Sequence, residues 1–408
     1  MNGNIMYDVL VIGAGPAGTV ASTYLKQKGF IILVVEQAKF PRFVIGESLL
    51  PRCMDVFEEV GLLPYLEKRN YQMKKGVVFL RGDEESIFDF SEQFTKGKTY
   101  TWQVPRADFD NTLAEGAQDL GVTIQFETSV ISVELFDDYQ LVQVQSKDGT
   151  ITTIKSKHLI DSSGYGRVLP RLLDLHDESK LPIRTTMFTH IKDGNRAKYL
   201  DNIEYITYVV HEDHYVWNIP FTHGDTSVGF VGANELFESK EGTTAEVYEQ
   251  LMAEEPYLNN RYGGQDRIFE TRKLKGFSVG VKKLYGKGFA LTGNSTEFLD
   301  PIFSSGVTLA TESALIAAKL TEKELNGETV DWEKEYEEPI RFGIDVFKTY
   351  VNAWYDTTLH TIFFTQNHSL DFRKQICSIL AGYVWDKTNP CVRRYKTILQ
   401  TLKKIIDI

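Results

Sequence analysis

Three glycines, Gly13, Gly15 and Gly18, stand in the run VIGAGPAG at the G-x-G-x-x-G spacing that lets a backbone cradle a pyrophosphate. The first permits a tight turn. The second lets the chain approach a phosphate, and the third lets a helix pack closely on a strand. Pro16 and Ala17 open that helix, whose unpaired N–H groups favour an anionic ligand. Glu36 closes the next apolar run, IILVVE. An acid there accepts hydrogen bonds from a ribose and repels a 2′-phosphate, which disfavours NADP. Two later runs separate FAD from NAD. DSSG (Asp161 to Gly164) and TGNSTEFLDP (with Gly293, Asn294, Asp300 and Pro301) each follow a further apolar run. More strand ends converging on one ligand imply a long cofactor lying across the fold, and FAD is the expectation.

The elements that must position these residues are legible. YDVLVIG and IILVVE are apolar runs of the kind buried parallel strands show. With the helix between them, from Pro16 to Lys28, they form a β-α-β unit. Residues 49–70 read as helical with a break at Gly61 and Pro64, and residues 76–102 alternate as strands do. A helix over 107–120 precedes a three-stranded meander over 122–154, with a turn at Asp148-Gly149. KHLIDSSG returns to a buried strand. Residues 182–234 alternate and suggest an antiparallel sheet, 243–255 a helix, GFALTGN a strand and 305–326 a long helix. The expected fold is α/β. A Rossmann-like FAD-binding domain comprises 1–75, 103–175 and 280–330. An antiparallel-sheet substrate domain comprises 76–102 and 176–279, and a helical, aromatic C-terminal region comprises 331–408.

Composition bounds the rest. The 408 residues are 42% hydrophobic and 25% charged, enough for a sizeable core. A net charge of -11 argues against nucleic acid as a partner. Cys53, Cys377 and Cys391 are too scattered for a disulfide framework or zinc site, which fits a reducing cytoplasm. The first strand starts near Tyr7, leaving no room for a signal peptide. No apolar stretch reaches the ~18 residues of a membrane span. His211, Glu212, Asp213 and His214 look metal-like but lack the helical H-E-x-x-H spacing, so a hairpin turn is expected.

Further motifs resemble those of the flavin-dependent halogenases, within the flavin monooxygenases of the hydroxybenzoate-hydroxylase fold, over residues 5–325. FPRFVIGESLLP is the most specific. The resemblance places Gly46, Glu47 and Ser48 beside the flavin and makes Arg42 and Arg106 cofactor-contacting. MKKGVVF resembles the K-x-G-x-x-F of these enzymes and maps their catalytic lysine onto Lys74, with Lys75 next in register. In such enzymes reduced FAD and O2 form a hydroperoxide, halide attacks it, and hypohalous acid travels to the lysine. YVWNIP resembles W-x-W-x-I-P, with Tyr215 in place of the first Trp and Trp217 as the second. That motif implies a wall keeping substrate from the flavin. LDPIFSSGV resembles the stretch covering the flavin ring. It brings Asp300, Pro301, Gly306 and Val307 to the cofactor, and the N–H groups near Ser305 and Gly306 suit a halide.

Two departures narrow the expectation. Phe303 stands where tryptophan halogenases carry a glutamate, which favours an activated phenol or pyrrole, free or tethered to an acyl carrier protein. Asn294 replaces the usual aspartate beside the ribityl chain. No second glycine-rich motif is evident for a nicotinamide, so a separate flavin reductase is expected to supply electrons. The reading is an FAD-dependent halogenase of an electron-rich aromatic ring. A reductase of the geranylgeranyl-reductase type and an aromatic hydroxylase share the fold and remain alternatives, as does a non-catalytic flavin-binding protein.

Overall fold

A computed structural model describes residues 6–179, 181–365 and 370–406. Its central mixed sheet runs in the order Tyr285–Gly286, Phe289–Leu291, Ile151–Asp161, Met6–Ile12, Ile32–Val35, Thr123–Gln125. Met6–Ile12 pairs in parallel with Ile151–Asp161 and with Ile32–Val35, and its inner residues are buried. The register aligns the C-terminal ends. Ile12 faces both Val35 and Asp161, and Asp161 faces Leu291. The loops that follow at Gly13, Glu36, Ser162 and Thr292 therefore open into one crevice, where a doubly wound sheet binds its ligand.

Ile151–Asp161 is one eleven-residue strand, where the sequence suggests a meander strand followed by a separate buried one. Its first half pairs antiparallel with Gln140–Ser146 and its second half in parallel with Met6–Ile12. Its side-chain pattern changes because its neighbours change. The helical stretch expected over 49–70 is two helices, Pro51–Glu59 and Leu63–Glu67, interrupted at Gly61.

The second sheet has seven strands in the order Arg272–Lys275, Thr185–Lys192, Asp225–Gly232, His214–Pro220, Tyr205–Val210, Gly76–Arg81, Glu84–Asp89. Its pairs are antiparallel except that Tyr205–Val210 runs parallel to Gly76–Arg81. Alternation sorts its faces. Tyr215, Trp217 and Ile219 join the main core, whereas Val216 packs with Phe230 against the helix Thr244–Glu254. Helices Glu338–Tyr355, Thr358–Phe364 and Leu370–Leu380 close over the first face, with Trp354 and Phe363 against Phe79. His211 and His214 stack at a hairpin turn, and among the described residues no group of ligating side chains could hold a metal. Nor is any described helix long and apolar enough to cross a membrane.

Candidate active site

The glycine-rich turn is sterically determined. Gly13 has φ +101°, and a Cβ there would lie 2.5 Å from the Ser162 carbonyl oxygen. A Cβ on Gly18 would lie 1.9 Å from the Gly13 carbonyl oxygen, so Gly18 sets the helix-to-strand approach and stands outside the cavity lining. Glu36 is fixed by backbone donors. Ala14 N donates to its Oε2 and Ala38 N to its Oε1, both at 2.9 Å.

These groups border an elongated cavity of about 720 Å³, within the roughly 300–1,000 Å³ usual for cofactor sites. Gly13, Gly15, Pro16, Ala17 and Glu36 line it, with Gly164, Gly293 and Asn294. Asp300, Pro301, Ser305, Gly306 and Val307 line it too. So do Arg42, Gly46, Glu47, Ser48 and Arg106. Ser305 precedes the twenty-residue helix Gly306–Leu325, whose N-terminus faces this space. Asp161 stands behind the lining. Its carboxylate accepts from Ser163 N, Leu169 N and Ser295 Oγ, so it pins loops instead of meeting a ligand.

The two arginines converge on a carboxylate that sequence reading missed. Asp110 is buried, taking Arg42 at 2.9 Å and Arg106 through two bonds of 2.8 and 3.1 Å. Arg106 also donates to the carbonyls of Ile45 and Gly46, holding the cofactor-side loop in place. His190 is a second missed residue. From the seven-stranded sheet its Nε2 meets Glu47 Oε1 at 2.6 Å. Neither residue carries a local sequence mark, because both gain their partners only on folding.

Lys74 lies on the short strand Gln72–Lys74, paired with Thr101–Gln103. On the other edge of Thr101–Gln103 the backbone of Glu47 to Leu49 pairs too, through Leu49 N to Trp102 O and Val104 N to Glu47 O. Lys74 and Ser48 thus meet across one strand. The Lys74 ammonium is buried and donates to Ser48 Oγ (2.8 Å) and the Leu49 carbonyl (2.7 Å). Burial pulls its pKa down to about 7, because among the described residues no carboxylate pairs with it. Lys75, by contrast, is exposed and paired with Glu204.

Around Lys74 is a small second pocket with apolar walls of Leu50, Val77, Phe79, Ile302, Phe303 and Leu380. It is collapsed, with no room for an aromatic ring. Trp217 lines the large cavity and donates through Nε1 to Ser227 Oγ. Tyr215 lines neither space. Its hydroxyl donates to Asp300 Oδ1 at 2.8 Å, and Tyr355 of the C-terminal helices donates to Oδ2 at 2.7 Å. The tyrosine that replaces a tryptophan in the aromatic motif therefore supplies a hydroxyl to a buried acid.

The residues present fit FAD: a glycine cradle at a helix N-terminus, an acid at the second strand end, and a long cavity reaching a third and a fourth strand end. Comparison with known proteins agrees. The FAD binding domain family matches residues 6–272. The flavoprotein/dehydrogenase of Cytophaga hutchinsonii superposes with a TM-score of 0.97 at 47% identity, over 99% of each chain. The 1H-pyrrole-2-carbonyl-[peptidyl-carrier protein] chlorinase of Pseudomonas fluorescens is 28% identical over 93% of this chain and 90% of its own. The tryptophan 2-halogenase of Chondromyces crocatus is 32% identical over 78% of this chain but 62% of its own length. The chain belongs to the FAD binding domain family and is an FAD-dependent enzyme of oxidoreductase type, similar in sequence to flavin-dependent halogenases.

Proposed function

We propose that this enzyme oxidises halide and transfers the halogen to an electron-rich aromatic ring of phenol or pyrrole type. The observation that carries the reading is Lys74, a buried amine with no acidic partner among the described residues, set in an apolar pocket beside the cofactor cavity. Burying such a group is costly. The lowered pKa leaves a sizeable share of it as free amine near neutral pH, able to accept an electrophilic halogen or to hydrogen-bond its carrier. Reduced FAD, when bound, would supply the O2 activation that turns halide into hypohalous acid.

The other roles follow from placement. The N–H groups at Ser305 and Gly306 head a long helix and face the cavity, which suits a halide. Arg106 and Asp110 hold the loop carrying Glu47 and Ser48. Trp217 walls the flavin side. Phe303 lines the lysine pocket where an acid would serve an indole nitrogen, which supports a phenol or pyrrole. The relative from Pseudomonas fluorescens is named for a carrier-bound pyrrole, and a carrier-tethered substrate is the form we favour. Electrons come from a separate reductase.

The test needs no organic substrate. Bound flavin is reduced without oxygen, then O2 is admitted with and without chloride or bromide, and oxidising halogen is trapped. Halide-dependent oxidant supports the proposal. Peroxide alone, indifferent to halide, overturns it in favour of a second reading, a flavin-dependent reductase. The 47% identical flavoprotein/dehydrogenase and the collapsed pocket favour that alternative.

A further inference from the structure

The last stretch of the chain departs from the overall charge. Residues 387–406 hold six lysines and arginines and no acidic residue, in a chain of net charge -11. The helix Tyr395–Ile406 sorts them to one side. Tyr395 and Leu399 are buried in the main core, and Ile398 and Leu402 pack against it. Lys396, Gln400 and Lys404 are exposed and follow one another at the i, i+4 spacing of a single helix face. Lys387, Arg393 and Arg394 are exposed just before that helix. Lys323, Lys334, Arg341 and Lys348, earlier in the C-terminal half, each pair with an acid, whereas among the described residues none of these five cations is in a salt bridge. This face belongs to the roof over Lys74. Tyr395 packs edge-on to Phe342 at 5.7 Å, and Tyr350 of the same helix, Glu338–Tyr355, donates to the Cys391 carbonyl at 3.1 Å. Asn389 donates to the Gln375 carbonyl of Leu370–Leu380 at 2.9 Å, and Leu380 lines the lysine pocket. Phe363 packs on Phe79, which with Tyr208 lines the same pocket.

We propose that this basic face docks an acidic carrier protein that presents its tethered ring to Lys74, an inference that rests on the carrier-bound substrate proposed above. The charges argue for a protein partner. Lys396 and Lys404 alone span about 12 Å of helix, wide for one small anion and suited to a second macromolecular surface. An anionic membrane fits less well. A helix that lies in a membrane interface buries its apolar side there, and here Tyr395 and Leu399 of that side are already in the core. Charge also orients the encounter. A net charge of -11 repels an acidic protein from the surface at large, while five cations free of salt bridges attract it at this one place. The carrier is thereby steered to the helices that cover the lysine pocket, and its flexible arm, not the folded carrier, has to enter.

Holoenzyme is titrated with acyl carrier proteins whose phosphopantetheine arm bears a pyrrole-2-carbonyl or a hydroxybenzoyl group, at low and high salt. The test variant combines Arg393→Glu, Arg394→Glu and Lys396→Glu. All three side chains are exposed and none lines the cofactor cavity or the lysine pocket, so FAD binding and halide-dependent oxidant release should match the wild type. Carrier binding should weaken by at least ~tenfold at low salt, and the salt dependence seen with wild type should disappear. Lys68→Glu, Lys198→Glu and Lys273→Glu together change the net charge equally on other, exposed parts of the chain, and should bind carrier nearly as wild type does. Equal losses in the two triple variants overturn the docking face, because net charge alone would then account for them. Wild type that binds none of the carriers, but floats with vesicles of equal parts phosphatidylcholine and phosphatidylserine, overturns it in favour of a membrane, and binding to neither overturns it outright. Halide-dependent oxidant with carrier binding indifferent to the three reversals overturns the face and leaves the halogenase reading standing. Absence of that oxidant from wild type overturns the halogenase reading, while carrier binding that still follows the three charges supports the face.

Discussion

Ser48 Oγ accepts a 2.8 Å hydrogen bond from Lys74 Nζ, and Ser48 lines the cofactor cavity whereas Lys74 does not. One hydroxyl thus joins the wall of the flavin site to an amine in a separate apolar pocket. If the amine presents the halogen, Lys74→Met should lower product formation by at least ~100-fold, as for loss of a group that acts directly on the transition state. FAD affinity and halide-dependent oxidant release should remain. Ser48→Ala should give a smaller loss, about tenfold, by freeing the amine from one of its two acceptors. Single-turnover assays on a panel of phenols and pyrroles, alongside flavin titrations, separate these effects. A Lys74→Met enzyme with intact product formation would remove the lysine from the mechanism.

The same burial makes stability depend on pH with a defined sign. The folded pKa of Lys74 is depressed from 10.5 to about 7, so between those values the unfolded chain binds the proton and the folded one does not. Stability from this group is therefore present above pH ~10.5 and is lost as pH falls toward 7. At about 1.4 kcal/mol per unit the span is on the order of 4–5 kcal/mol. Lys74→Met removes the titration, so its stability relative to wild type should be greatest near pH 7 and decline toward pH 10. Urea unfolding of both proteins across that range checks it. A constant difference would mean the ammonium is not desolvated in the folded chain.

The sequence carried the parallel core and the cofactor site because both are written locally. Continuous apolar runs mark strands buried on both faces, and Gly13 and Gly18 are required by atoms within a few ångströms. Lys74 was legible only through its flanking pattern; its chemistry depends on Ser48, brought to it by pairing across Thr101–Gln103. Tyr208 is one of 20 tyrosines and has no local mark. Its position follows from a register that sets it opposite Trp217 and Phe79. Asp161 shows the converse. It sits in the expected strand end, but two donors from the segment after it, Ser163 N and Leu169 N, and Ser295 Oγ from a distant loop consume its carboxylate.

Asp300 ties the C-terminal helices to the flavin-side loop. Its carboxylate accepts from Tyr215, Tyr355 and Ile302 N, and burial raises its pKa. Tyr355→Phe should cost about 1–3 kcal/mol, because it leaves a buried acceptor short of a partner without changing ring packing. The loss should appear with the FAD-loaded protein as well as without added cofactor. Chemical denaturation with near-ultraviolet detection measures it; a change below about 0.5 kcal/mol would show that the C-terminal region does not depend on this bond.

His190 is the corresponding tie between the seven-stranded sheet and the cofactor loop. Its Nε2 meets Glu47 Oε1 at 2.6 Å, while Glu47 Oε2 has no hydrogen-bond partner among the described residues and Glu47 lines the cofactor cavity. Phe221 and Phe269 pack edge-on against the imidazole and fix its direction. His190→Leu keeps the packing but strands the Glu47 carboxyl, which should cost about 1–3 kcal/mol and weaken FAD binding by displacing the loop that holds Gly46 to Ser48. His190→Gln keeps a donor at a similar reach and should recover part of both losses. Melting with and without excess FAD distinguishes the two effects, since a loop that no longer fits the cofactor shows a smaller ligand-induced rise. If His190→Leu and His190→Gln melt alike and respond equally to FAD, the imidazole serves only as packing and the cofactor loop is held by Arg106 and Asp110 alone.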